Sequence, residues 1–581
     1  MDLSTCPQTV PRASSRSILL PVSLSLDRML ATGSRGASPA HVTAGQQSVP
    51  WSLTAIKETR ETMRKFLFIF AFFFVVLPIR ATDLYIAQSA TGGSTGADCG
   101  DALPYTFFNN SANWPSPIGP GTTVHLCGTF TAAAGTSNYL VTHGSGSSSS
   151  PITILFENGA VIQAPYWSGA VISVSNSYIT VNGGTNGTIQ ATANGTKLAN
   201  QQDGAIGVNL VNASNVMVEN LTIANLYVRT CTPPVSTCTD ENGSNTLGIT
   251  AAGGSNLQFE NNTVHDLHWS LGYGTVSGAT INIQIGPGNN VYNTDHGVFV
   301  ANTHVGSTLT GIYVYGNHIH DFQNWDDAAD DHHHDAFHTW SIGAGTVSSQ
   351  FYVYNNLIDG QWGQNDNAGI YWASSTEEAG GNVGQITNCY TFNNILNRTG
   401  GSNASGAIAD YSTFGCVIVN NTIYTDSIAV QFQPSGGATL YNNIGISQNR
   451  SFSAGDGGKI AASDYNDLYT TGGLVFIAPG GVCCVAGLAD WISATGFDTH
   501  TITRNPNLMA NYVPSSGSPV TAAGKNLSNI CSGQSSPGLG ALCFDAAGNP
   551  RSSTGNWDMG ANSVGNGAGP SPPTNVTVTV Q

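Results

Sequence analysis

The feature that most constrains this chain is a turn that keeps returning. An aliphatic or aromatic strand ending in Asn-Asn, or a close variant, recurs as M-V-E-N-L-T-I at Asn220, Q-F-E-N-N-T-V at Asn262, V-Y-G-N-H-I-H at Asn317 and V-Y-N-N-L-I-D at Asn356. It continues as T-F-N-N-I-L at Asn394, I-V-N-N-T-I at Asn421 and L-Y-N-N-I-G at Asn443. The intervals of 42, 55, 39, 38, 27 and 22 residues fit rungs of about twenty to thirty residues carrying loops of variable length. Stacked rungs would place these Asn side chains one above another, each bonding the backbone of the next. Cys389 and Cys416 both sit five residues before their rung's Asn, so they take matching positions on adjacent rungs. Neighbouring strands lie about 4.8 Å apart, within reach of a disulfide.

Composition agrees with many short strands. The chain of 581 residues has 69 Gly, frequent Asn, Thr, Ser and Val, and no long stretch with a 3.6-residue apolar period. It is read as all-β. Ten of the eleven Cys lie beyond residue 81, an even number suited to an oxidising compartment. Proximity pairs Cys99 with Cys127, Cys231 with Cys238 and Cys531 with Cys543, and leaves the adjacent Cys483 and Cys484 unassigned. No Cys/His spacing of the zinc-finger kind occurs.

The first 62 residues are Ser- and Arg-rich and lack the strand-turn rhythm. At Met63 a leader pattern begins, with Arg64 and Lys65, an apolar run from Phe66 to Leu77 and a cleavage point at Ala81. The run is short for a membrane span, so residues 63–81 are read as a signal peptide and 1–62 as an upstream extension without function. Residues 82–565 form the folded domain and 566–581 a Pro-rich linker or tail. Residues 1–81 hold nine of the 17 basic and four of the 34 acidic groups, so the remainder carries a formal net charge of −22. Such a surface repels nucleic acid and anionic membranes. The expectation is a secreted or cell-surface monomer with no membrane span in the mature chain.

The N-N-x-I turns, the V-Y or F-E strands before them, strands such as A-G-I-Y-W and S-G-A-I-A-D after them, and the closing R-N-P-N-L, G-N-P-R and W-D-M-G-A together resemble the right-handed parallel β-helix superfamily of pectate lyases and polygalacturonases. The resemblance spans Leu84 to Val564. It implies a single solenoid with an Asn ladder, an N-terminal cap over Asp83 to Phe130 and an irregular C-terminal region from about Gly455. It also implies a carbohydrate-active protein whose partner is a polysaccharide.

Chemistry is expected in one stretch, Trp325 to Trp340, W-D-D-A-A-D-D-H-H-H-D-A-F-H-T-W. Only 9% of the chain is charged, yet five Asp and four His gather there. Setting its last strand beside Asn367 to Ala373, Ala404 to Asp410 and Thr425 to Gln431, with Phe337, Ile370, Ala407 and Ile428 inward, turns His338, Tyr371, Trp340 and Asp410 to one outer face. Aromatic faces stack on sugar rings while carboxylates and imidazoles handle protons. The candidate acid/base residues are His338, Asp335, His334 and Asp410. Tyr371, Trp340, Trp372 and Arg398 are the candidate substrate contacts, with Trp362 and Trp325 extending the wall. Asp326, Asp327, Asp330 and Asp331 are candidate metal ligands, with Ca²⁺ the cofactor they suggest. The same stretch also reads as a solvated loop, or as a loop held by a Ca²⁺ or transition-metal site.

No Lys occurs between Lys197 and Lys459, which disfavours a lysine-based elimination and leaves His/Tyr, His/Arg or metal-assisted elimination. Hydrolysis by paired Asp residues competes. N-T-D at 293–295 is faintly similar to polygalacturonases, whose later G-H-G and R-x-K elements are absent. H-H-H-D at 332–335 departs from the D-P-H-D of uronate epimerases. His265, His268, His318 and His320 recur beside the rung turns and read as structural. Two functions follow: a polysaccharide lyase or glycoside hydrolase, or a non-catalytic glycan-binding adhesion protein. Convergence of the Asp/His stretch with Tyr371 and Asp410 favours the first, and dispersal the second.

Overall fold

A computed structural model describes residues 82–193, 204–226, 246–323, 334–363, 366–374, 384–399, 406–411, 413–425, 428–433, 436–447, 450–454, 460–470, 475–476 and 485–564. The segments 1–62 and 63–81, expected to be an upstream extension and a signal peptide, lie outside these residues, as do Cys231, Cys238, Cys483, Cys484, Trp325 and 566–581.

Two long sheets, of 14 and 21 strands, are built from parallel pairs of successive rungs. This is a parallel β-helix, right-handed as parallel crossovers are. Its core is columnar because a strand buried on the inside repeats its residue type from rung to rung. Ile179, Val216, Leu257, Ile283, Ile312, Phe351 and Cys389 occupy one register position, and each is buried. The Cys389–Cys416 disulfide extends that column to the next rung, with Cα atoms 4.6 Å apart. Cys99–Cys127 and Cys531–Cys543 also form.

The Asn ladder runs through Asn262, Asn289, Asn317, Asn356, Asn394, Asn421, Asn443 and Asn466. Each Nδ2 donates to the next Oδ1 at 2.9–3.1 Å. Most of these Nδ2 groups also donate to a backbone carbonyl of an earlier strand, as Asn394 does to Val353 at 2.9 Å. Asn289 fills the 55-residue interval between Asn262 and Asn317, dividing it into steps of 27 and 28. Asn220 belongs instead to the position just before the ladder, where φ is +57°. Leu221 stands in its rung's ladder position, its N–H donating to Asn262. Asn and Gly recur at this left-handed turn because Gly lacks a Cβ and Asn tolerates positive φ better than other side chains.

The first strands are covered by the short helix Tyr105–Phe108 and adjoining turns. At the other end the chain leaves the solenoid through the helix Leu488–Thr495 and folds back along its turns. Arg551 donates to Asn393 Oδ1 and to the carbonyls of Gly560 and Ala561. Asn442 bonds the Lys525 carbonyl. Among the described residues no helix is long and apolar enough to cross a membrane.

Candidate active site

Six strands carry the site: β1 (Leu247–Ala252), β2 (Thr263–Gly274), β3 (Asn290–Asn302), β4 (His334–Ser341), β5 (Asp366–Ser374) and β6 (Gly406–Tyr411). Their registers set inner and outer columns. Leu271, Val298, Phe337, Ile370 and Ile408 align and belong to the apolar core. Trp269, His296 and Asp335 share a second position. Phe299, His338 and Tyr371 share a third, and Ala301, Trp340, Ala373 and Tyr411 a fourth. The last three columns form one face of rings with a single carboxylate, Asp335. Gly272 sits beside Phe299, where a Cβ would lie 2.0 Å from the Phe299 ring. The missing side chain makes room for that ring.

A buried carboxylate organises this face. Asp295 lies within hydrogen-bond distance of three imidazoles: His296 Nδ1 at 2.6 Å, His268 Nε2 at 3.0 Å and His334 Nδ1 at 3.1 Å. Burial opposes ionisation of this carboxyl, but the charge of His296 and the three hydrogen bonds outweigh it and hold Asp295 well below the usual carboxylate range. When His296 gives up its second proton, the one kept on Nδ1 toward Asp295 makes Nε2 the electron-pair side of the ring.

That Nε2 faces Asp335 and His338. Asp335 Oδ2 is 3.5 Å from His296 Nε2 and 3.5 Å from His338 Nδ1, and the two nitrogens are 3.4 Å apart. The other oxygen of Asp335 accepts the Ala368 N–H from the next rung at 3.0 Å. Two imidazoles and one carboxylate thus converge on a common point, and these are the residues that could hold a metal ion.

Aromatic rings border the convergence. Trp269 stacks on His296, and Trp340 meets Trp269 edge-on with centroids 5.7 Å apart. His338 lies 4.8 Å from Trp340 and 4.6 Å from Tyr371 between ring centroids. The cluster is deep: Asp335 and His334 have no exposure, whereas Trp269, His268, Tyr371, Trp340 and His338 keep 9, 8, 8, 7 and 5%. Contact with solvent is therefore made through the aromatic and outer imidazole edges.

The sequence-derived candidates divide accordingly. His338, Asp335, His334, Trp340 and Tyr371 come together. Asp410 does not join them. It pairs with Trp372, one residue away from the expected alignment, and in a strand a one-residue slip reverses the face. Both side chains are fully buried on the core side. Asp410 accepts from the Thr413 hydroxyl at 2.5 Å, and Trp372 Nε1 donates to Thr391 Oγ1. Trp362 is likewise fully buried, with Nε1 donating to the Asp359 carbonyl. Arg398 lies over the Trp362 ring at 5.3 Å and approaches Gly369, next to the Ala368 that fixes Asp335. Asp326, Asp327, Asp330 and Asp331 lie outside the described residues. Of the histidines read as structural, His265, His318 and His320 are engaged on a different column with Tyr292 and Asp359, but His268 belongs to the cluster.

His296 and Trp269 were not among the sequence-derived candidates, and Asp295 was noted only within N-T-D at 293–295. A signal was present. Trp269 and His296 each lie seven residues after a ladder Asn, Asn262 and Asn289, so counting from the ladder aligns them.

No family model matches this chain, and no curated protein matches it. Among solved structures it is similar to pectate lyase Pel9A at 14% identity, with a TM-score of 0.39, over 83% of this chain and 96% of that one. It is also similar to the GH136 lacto-N-biosidase from Eubacterium ramulus at 13% identity and TM-score 0.42, over 67% and 68% of the two chains. A third likeness is the Streptococcus pneumoniae surface protein and adhesin PfbA, at 13% identity and TM-score 0.30, over 60% and 94%. These likenesses are too distant to bear on the reaction.

Proposed function

We propose that this protein is a secreted enzyme that cleaves a uronate-containing polysaccharide by β-elimination at the face formed by Trp269, His296, Asp335, His338, Trp340 and Tyr371. The observation that carries the reading is the convergence of an ionised Asp-His network with an aromatic border on consecutive rungs. A purely structural solenoid has no need to bury three imidazoles around Asp295. Export is supported by the leader pattern at 63–81 and by the disulfides.

Elimination is favoured over hydrolysis by the state of the carboxylates. A glycosidase needs one carboxyl that stays protonated to serve the leaving group. Asp295 is held ionised, Asp335 is committed to the Ala368 N–H and faces two imidazoles, and Asp410 points into the core. Elimination asks for something different: a positive centre to hold the uronate carboxylate and a group to move one proton. The His296, Asp335 and His338 trio could hold a cation, and a cation there would supply that centre. Tyr371, whose ring centroid lies 4.6 Å from that of His338, moves the proton. As phenolate it takes the proton from C5, the C4–O bond breaks as the C4=C5 double bond forms, and the Tyr371 hydroxyl returns the proton to the departing oxygen. Trp340 and Trp269 supply apolar faces for the sugar rings.

Incubating the purified protein with a panel of plant and microbial polysaccharides tests the proposal. New ultraviolet absorbance from the conjugated double bond, together with new reducing ends, supports it. Reducing ends without that absorbance would replace it with hydrolysis. Glycan binding with neither product would make the protein an adhesion module.

A further inference from the structure

The three atoms that meet between β3 and β4 have the spacing of a metal coordination set. We infer that His296 Nε2, Asp335 Oδ2 and His338 Nδ1 bind one divalent transition-metal ion, with Zn²⁺ the best match. Their separations are 3.5, 3.5 and 3.4 Å. A point equidistant from three such atoms lies about 2.0 Å from each in their plane, which is the length of a zinc bond to imidazole nitrogen or carboxylate oxygen. Ligand atoms around a tetrahedral ion with such bonds stand about 3.3–3.4 Å apart, whereas an octahedral arrangement would bring them to about 3.0 Å. The longer bonds and all-oxygen preference of Ca²⁺ fit this set poorly.

A second feature points the same way. Metal-bound histidines are oriented by an acceptor on the far nitrogen, and ligating carboxylates by a donor on the far oxygen. Asp295 takes His296 Nδ1 at 2.6 Å, which turns Nε2 and its electron pair toward the common point. The Ala368 N–H holds Asp335 Oδ1 at 3.0 Å, which turns Oδ2 the same way. Trp269 lies on the His296 ring with centroids 3.9 Å apart and planes 4° from parallel, fixing the ring's tilt. Ligands and supports come from four successive rungs, whose relative positions the parallel pairing sets. Such an arrangement is made before any ion arrives.

The site would leave one coordination position for an oxygen of the substrate. Resting on the elimination reading above, that oxygen belongs to the uronate carboxylate, and the ion is the positive centre that acidifies the C5 proton. Metal binding itself does not depend on that reading.

The test uses the full-length chain, stripped with chelator and titrated with ZnCl₂, with bound zinc measured by atomic emission. Co²⁺ serves as a second probe, through the intense visible absorption of a four-coordinate ion. Wild type is expected to take up a zinc that both His296→Ala and His338→Ala lose. Asp295→Asn, which removes a positioning residue rather than a ligand, should weaken it about 10–100-fold. His318→Ala, on another column, should leave uptake unchanged. In chelator each variant should still unfold in one cooperative transition above the assay temperature, which separates lost ligation from lost fold. The inference is overturned if stripped wild type takes up no zinc, or if uptake is the same in His296→Ala and His338→Ala. Zinc uptake without elimination on any uronate polymer would keep the site and remove its assigned substrate. Elimination that survives both chelator and His296→Ala would do the reverse.

Discussion

Trp269 lies flat on His296, one rung away, with ring centroids 3.9 Å apart and an interplanar angle of 4°. The His338 ring lies 5.5 Å from that of His296 between centroids, and Asp295 anchors the His296 Nδ1. A functional imidazole gains from being fixed in one orientation before substrate arrives.

If the border rings hold sugar, removing one should weaken binding more than it changes turnover. Trp340→Ala is expected to raise KM for a cleaved polysaccharide about 5–20-fold, corresponding to about 1–2 kcal/mol of lost stacking, with kcat changed much less. Affinity electrophoresis in substrate-containing gels checks the binding part without relying on turnover. A larger fall in kcat than in affinity would assign Trp340 to positioning the cluster.

Tyr371 is the residue on which the proposed proton transfer depends. Tyr371→Phe keeps the ring beside His338 and Tyr411 and removes only the hydroxyl. The expected loss in kcat is about 10²–10⁴-fold with little change in KM, measured by the rate of double-bond absorbance. Unchanged kcat would move the proton transfer to another group.

The inward placement of Asp410 gives a pH prediction. Burial raises its carboxyl from 3.8 to about 6, with the Thr413 hydrogen bonds acting in the opposite sense. A folded-state value above the unfolded one means the native protein holds the proton more tightly. Its favourable contribution is complete below about pH 4 and is lost as pH rises through about 6. Asp410→Asn keeps an oxygen for the Thr413 hydroxyl and carries no charge. Relative to wild type it should gain up to about 3 kcal/mol between about pH 4 and about pH 7. Denaturant midpoints of the two proteins at each pH check this, and parallel pH dependences would contradict it.

The ladder predicts local rather than uniform damage. Asn394 accepts from the Asn356 backbone N–H and Nδ2 and donates to the Val353 carbonyl and to Asn421. Asn394→Ala leaves a buried N–H and a buried carbonyl without those partners, at a cost of about 2–4 kcal/mol. Because a solenoid rung touches mainly its neighbours, amide exchange should accelerate most around Asn356 and Asn421 and little at Val124 or Leu126. Equal acceleration along the whole chain would contradict this.

The architecture was legible because a solenoid repeats its constraints. Asn356, Asn394, Asn421 and Asn443 announce the ladder, and Cys389 and Cys416 confirm its register. What the sequence concealed were departures from that rhythm. Asn289 follows Gly-Pro-Gly rather than a V-Y strand, so the rung it opens hid inside the 55-residue interval. Asp410 was misplaced because β6 was aligned on its apolar residues, with Ala407 inward, although Ile370 and Ile408 both lie fourteen residues after their ladder residues Asn356 and Asn394. Without a counted ladder position, one residue of slip exchanges inside and outside. The candidate site was half legible. His334, Asp335 and His338 stand out by local density of charge, whereas Asp295 and His296 lie about 40 residues earlier in the unremarkable string N-T-D-H-G. Only stacking of rungs makes the two stretches one cluster.

The most direct test of the account is the structure of the new chain ends. Products of wild type and Tyr371→Phe acting on the same uronate polymer should be compared by mass spectrometry. The account predicts oligomers from wild type whose non-reducing end lacks the mass of one water, and almost none from Tyr371→Phe. Fully hydrated ends from wild type, or unsaturated products formed equally by both proteins, would contradict an elimination carried out at this face.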